Sequence, residues 1–176
     1  MFRFNHPPYA SKVRPLLRTL PLLAGEAIRI ERVPGLRDRH GTVHAGAFLR
    51  ERRIAFDCRP SEFVRIFVHE LFHFVWLRLG NVQRQSYEAI LRREISEHAR
   101  GELGWSAEWR KGALRGSDVR SRSRRWREYC CESFCDSAAW RYSGITRHVE
   151  FSLAARFRRR RAQWFADLTA NGQLSI

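Results

Sequence analysis

Between Phe63 and Trp76 two histidines and a glutamate, His69, Glu70 and His73, interrupt a run built otherwise from Phe, Val, Leu, Ile and a single arginine. On a helix, positions i and i+4 share a face about one turn apart, so His69 and His73 aim a ring nitrogen each at one ion. Glu70, the next residue round, then reaches a water bound to that ion, which is the arrangement of His-Glu-x-x-His sites. The apolar setting strengthens this reading, because an unpaired ionisable group among such neighbours costs several kcal/mol unless a metal or a partner compensates it.

A catalytic zinc takes three protein ligands and leaves a fourth position for water, so a third ligand is needed. In the metzincin pattern Gly and His follow the second histidine by three and six residues; Trp76 and Leu79 stand there instead, which excludes that class. The remaining route is a glutamate on a later helix. Glu132 supplies it, with Asp136 one turn on to accept the outer N–H of a ligating histidine. Two other glutamates compete. Glu94 follows His73 by 21 residues, but its neighbours Arg92, Arg93, Glu97 and Arg100 suggest a surface helix whose carboxylate is solvated or paired with arginine. Glu128 borders an arginine-rich helix start and is expected to pair there. Trp126, Tyr129, Cys131, Phe134, Cys135, Ala138 and Ala139 make the Glu132 helix a buried one, where a carboxylate pair needs a cation or an imidazole N–H beside it. Cys131 and Cys135, also at i and i+4, would form a site with an outside histidine, although packing is the commoner role of small buried cysteines. His44 and His98 read as structural or exposed, and His6 and His40 carry no pattern.

The pair of motifs, His69-Glu70-x-x-His73 and Glu132-x-x-x-Asp136, resembles that of the gluzincin metallopeptidases. Glu132-Ser-Phe-Cys-Asp136-Ser-Ala-Ala looks like the version in their heat-shock and CaaX-processing branch. The resemblance covers about 80 residues, and it implies a small relative without that branch's membrane helices. It further implies Zn2+ held by His69, His73 and Glu132, with an edge strand above the motif helix that pairs with substrate backbone; Thr42 to Arg50 is the candidate strand. The expected activity is hydrolysis of peptide bonds in a peptide or protein segment. Zinc lowers the pKa of its bound water and polarises the carbonyl, while Glu70 is the general base. The oxyanion needs a further donor, for which Tyr142 and His148, just past the ligand helix, are the candidates.

Composition sets the frame for these residues. A chain of 176 residues with 44% hydrophobic content is long enough for one packed domain. The net charge of +15 comes almost wholly from arginine, since Lys12 and Lys111 are the only lysines. This excess defines the alternative function, a basic nucleic-acid- or acidic-partner-binding protein with a structural zinc. The arginines are nonetheless scattered over helix faces, as compositional bias would leave them, so nucleic acid is the less favoured partner. Four cysteines without a C-x-x-C pair point to free thiols and a cytoplasmic setting. No run reaches the length of a membrane span.

Four of the six prolines fall before Gly25, so residues 1–25 are expected to form an extended arm and 26–176 a single zincin-like domain. Short strands are expected at 27–33, 42–50 and 54–58, where Val43, Ala45, Ala47 and Leu49 alternate with other residues. Gly46 among them could mark a bulge or a close backbone approach. The motif helix opens after Ser61 as N-cap and stops at Gly80-Asn81. Further helices are expected at 87–100, 107–114, 124–142 and 153–170, with a surface loop over 116–125 and a solvated run Arg158 to Arg161. The fold expected is α+β, a small antiparallel or mixed sheet packed on a helical bundle around the central motif helix.

Overall fold

The computed structural model describes residues 1–38, 41–170 and 172–176, so His40 lies outside the described residues. In chain order the first half holds β1 (Phe2–Phe4), α1 (Pro7–Leu16), β2 (Leu23–Ala24), β3 (Ile28–Arg32), β4 (Arg37–Asp38), β5 (Gly41–Thr42), β6 (Ala45–Phe48) and β7 (Arg53–Phe56). Helices follow: α2 (Phe63–Arg78), α3 (Asn81–Ser96), α4 (Trp105–Gly112), α5 (Gly116–Ser121), α6 (Arg124–Tyr142) and α7 (Ala155–Ala170), then β8 (Leu174–Ser175), which pairs with β2. The architecture is α+β.

The main sheet is mixed, in the order β1-β3-β7-β6, with β6 antiparallel to β7 and the other neighbours parallel. Along β3, Ile28 and Ile30 are buried while Arg29 is exposed and Glu31 half-buried, the period of two that a one-sided strand imposes, with Arg32 at the strand end exposed. β7 lies between two neighbours, and Ile54, Ala55 and Phe56 are all buried. The strand expected within 42–50 is β6, one of the two outer strands of the sheet. Gly46 stands opposite Ala55 in regular register, and a Cβ there would meet only the Phe48 ring at 3.5 Å, so it marks neither a bulge nor a close backbone approach.

Helix α2 is apolar nearly all the way round because it is covered on two sides. Towards the sheet, Phe67 meets Phe2 with ring centroids 5.4 Å apart, and Phe63 meets Phe56 at 4.9 Å. On the far side Phe72 packs on Phe134 of α6 and Phe165 of α7. This places the motif helix between the sheet and α6.

Residues 1–25 are not an extended arm. β1 adds a parallel strand to β3, and α1 buries Tyr9, Val13 and Leu16, with Tyr9 stacked on Phe63 at 4.0 Å. Pro7 and Pro8 occupy the first two helical positions, where no amide hydrogen is needed, and Pro15 sits in the last turn. Elsewhere the boundaries shift. Glu62 rather than Ser61 precedes α2, and α3 begins at Asn81 and ends before His98, which has a left-handed φ of 56°. Part of the expected loop over 116–125 is α5. Arg158 to Arg161 is not a solvated run: Arg161 is buried, Arg158 donates to the carbonyls of Phe151 and Leu153, and Arg160 pairs with Glu97. Among the described residues, no helix is long and apolar enough to cross a membrane.

Candidate metal centre

His69 and His73 project from one face of α2 onto α6, as i and i+4 spacing requires. Their Nε2 atoms lie 3.2 Å apart, and His69 Nε2 lies 3.3 Å from Glu132 Oε2. Donors 2.0–2.1 Å from one tetrahedral ion are separated by about 3.3 Å, so both separations from His69 match a metal of zinc's size. Among the described residues the three form one of two groups whose ligand atoms lie mutually within 4.8 Å. Glu70, largely buried on the same helix, makes no hydrogen bond or ion pair with any described residue, so its carboxylate is uncommitted.

Asp136 fixes the orientation of the first histidine. Its Oδ1 lies 2.7 Å from His69 Nδ1, so with the proton on Nδ1 the lone pair of Nε2 faces the cluster. Its other oxygen accepts the amide of Ala107 at 3.0 Å, in the first turn of α4, where the helix dipole favours a carboxylate. α4 reaches this position because Gly104 has no side chain: a Cβ there would overlap the Asp136 carboxylate. From the same helix Arg110 Nη2 approaches Glu132 Oε1 at 3.3 Å. Gly104 and Arg110 escape a reading of the sequence because neither belongs to a motif; the one local signal is a short Trp-x-x-x-Trp-Arg helix next to a glycine.

Electrostatics follow from this crowding. Burial works to raise the Glu132 pKa, but the hydrogen bond from His69 and the charges of His73, His69 and Arg110 bring it down to about 2. Burial opposes a proton on His69, yet the Asp136 charge and hydrogen bond, helped by Glu132, hold its pKa well above the ordinary value. His73 is likewise opposed by burial and pushed up to about 9 by Cys131 and Glu132, against the repulsion of His69. Two imidazoles beside two carboxylates thus attract positive charge, which protons or a cation can provide.

The other sequence candidates fall elsewhere. Tyr142 lies ten residues beyond Glu132 on α6, about 15 Å along the helix. It stacks on Phe72 at 5.5 Å and is buried, so it is a core residue away from the metal group and not an oxyanion donor. His148 has both ring nitrogens engaged: Nε2 lies 3.2 Å from Glu62, two turns before His69, and Nδ1 accepts the Glu150 amide. It belongs to a clamp in which Arg65 binds Glu62 and Glu150, and no contact joins it to the metal group. Glu94 is completely buried rather than solvated, bound to Arg161 at 2.6 Å. Glu128 pairs with Arg124 at 2.7 Å, as its position at the helix start suggests. His98 and His44 are exposed.

No protein-family model, curated protein or solved structure matches this chain.

Proposed function

We propose that this protein is a zinc-dependent metallopeptidase of zincin-like fold, holding Zn2+ by His69, His73 and Glu132. The observation that carries the reading is the convergence of those three donors, with His69 at tetrahedral spacing from each of the other two, beside an uncommitted Glu70. The likeness of the two helix motifs to gluzincin enzymes points the same way. When bound, the zinc supplies Lewis acidity and an activated water.

The chain's own residues do the rest. Glu70 accepts a proton at its carboxylate from the attacking water and delivers it to the leaving amine nitrogen. Asp136 holds His69 in the tautomer that leaves Nε2 free, and Arg110 restrains the second oxygen of Glu132. A substrate in extended form would add to β6, an outer strand of the sheet, which packs against α2. All four cysteines are free, which supports a cytoplasmic site of action.

The test is cleavage of a peptide library by zinc-loaded protein, read by mass spectrometry. Wild type should cut, and Glu70→Gln, still folded and still zinc-bound, should be slower by about a thousandfold. Absence of cleavage by zinc-loaded wild type, or full activity in the variant, overturns the proposal. Loss of zinc from Glu70→Gln would make Glu70 a ligand instead of a base.

A further inference from the structure

The two ring nitrogens of His73 face different company. Nε2 belongs to the group with His69 and Glu132, whereas Nδ1 lies 3.4 Å from the Sγ of Cys131. Cys135, one turn further along α6 and fully buried, brings a second sulfur into the same space. The ligand atoms of His73, Cys131 and Cys135 lie within 4.8 Å of one another. A sulfur at 2.3 Å and a nitrogen at 2.0–2.1 Å from one tetrahedral ion stand about 3.5 Å apart, close to the 3.4 Å between Cys131 Sγ and His73 Nδ1.

We propose that Cys131, Cys135 and Nδ1 of His73 form a second metal site, for a thiophilic divalent ion such as Zn2+ or Cd2+, which competes with the first group for His73. Sulfur ligands select soft ions over Mg2+ and Ca2+. Charge selects a divalent one, because two thiolates and a divalent ion sum to zero, whereas a monovalent ion would leave net charge buried. On binding, each thiol loses its proton to solvent and each sulfur forms a bond to the ion. Competition follows from the ring itself. A neutral imidazole has one lone pair, so a His73 that ligates through Nδ1 carries its proton on Nε2 and is lost to His69 and Glu132. The inference takes only His73 from the peptidase reading and needs neither Glu132 nor turnover.

Titration of the metal-free full chain with Cd2+, followed by the ultraviolet thiolate-to-cadmium charge-transfer band, reads this site alone, since a site of nitrogen and oxygen donors gives no such band. The band should appear in wild type and vanish in Cys131→Ala/Cys135→Ala. Cys131→Ala alone, at a partly exposed position, should lose at least half of it, which guards against a double variant that fails to fold. His73→Ala should weaken cadmium at the thiols at least about tenfold. Glu132→Ala should keep the band and bind cadmium there at least as tightly as wild type, because the rival group is crippled. No band in wild type, a band that survives the double variant and so comes from Cys58 or Cys130, or an affinity indifferent to His73 overturns the proposal. A weaker band in Glu132→Ala overturns the competition. Failure of the peptidase reading alone would leave every one of these signals in place.

Discussion

Helix α6 carries two buried polar clusters on different sides, and they are built on opposite principles. Towards α7, Arg161 is enclosed by Glu94, Glu102 and Ser137, with all three of its nitrogens donating. Tyr129 and Lys111 complete the shell around Glu102. Towards α2, His69 Nε2 lies 3.2 Å from His73 Nε2 and 3.3 Å from Glu132 Oε2, and the one fixed cation nearby, Arg110, reaches only the second oxygen of Glu132. The first cluster neutralises itself and so belongs to the architecture. In the second, two carboxylates, Glu132 and Asp136, outnumber that one arginine, and the asymmetry separates a candidate binding site from a structural ion network in a protein rich in both kinds of residue.

The comparison is broken most forcefully at Arg161. Its replacement by Met leaves Glu94 buried without its cation and Glu102 with Lys111 alone, and should cost about 3–5 kcal/mol in chemical denaturation, while the fraction that folds still binds zinc. Zinc lost in proportion to folded protein would mean that the clusters are not independent. Glu132→Ala is the mirror experiment: the chain should stay folded while zinc affinity falls by about 100-fold. In the same binding assay Glu94→Ala and Glu128→Ala should leave affinity nearly unchanged; if Glu94→Ala strips the metal and Glu132→Ala spares it, the assignment of the third ligand is wrong.

Smaller effects sharpen the contrast. Zinc at a hundredfold excess over its Kd adds about 2.7 kcal/mol, so a chelator should lower the Tm of zinc-loaded protein by roughly 5–10 °C. It should do nothing to Glu132→Ala at a zinc concentration too low to load that variant. Acid should act on the other cluster. Burial raises the Glu102 pKa, but the Arg161 charge and hydrogen bonds, then Lys111 and Tyr129, outweigh it and hold the group below its usual value. A depressed folded pKa contributes stability above the unfolded value of about 4.3 and loses it as pH falls through the folded one. The Tm should therefore fall below about pH 4, and the fall should be shallower in Glu102→Gln, as thermal melts across that range would record.

The two clusters also differ in how far the sequence betrays them. The metal group is written in two short helical spacings, His69 to His73 and Glu132 to Asp136, so local geometry alone brings its members to a face. The Arg161 network joins side chains 59 and 67 residues apart, and no spacing rule connects them. Arginine-studded surroundings made Glu94 and the Arg158–Arg161 run look solvated. Tyr142 failed as a site residue because proximity in sequence to Glu132 becomes distance along a straight helix. The α1 error had a signal against it: Tyr9, Val13 and Leu16 keep helical spacing, and prolines in a first turn start helices as readily as they end them.

Gly104 carries a consequence on an evolutionary scale. The space that a side chain would need there is the space of the Asp136 carboxylate, so the two positions cannot change freely of each other. Lineages that keep the aspartate should keep the glycine, and a chain that has drifted away from metal chemistry should show bulk appearing at 104 together with a small neutral residue at 136. Paired sampling of these two positions among diverged copies would distinguish working descendants from silent ones without a single assay.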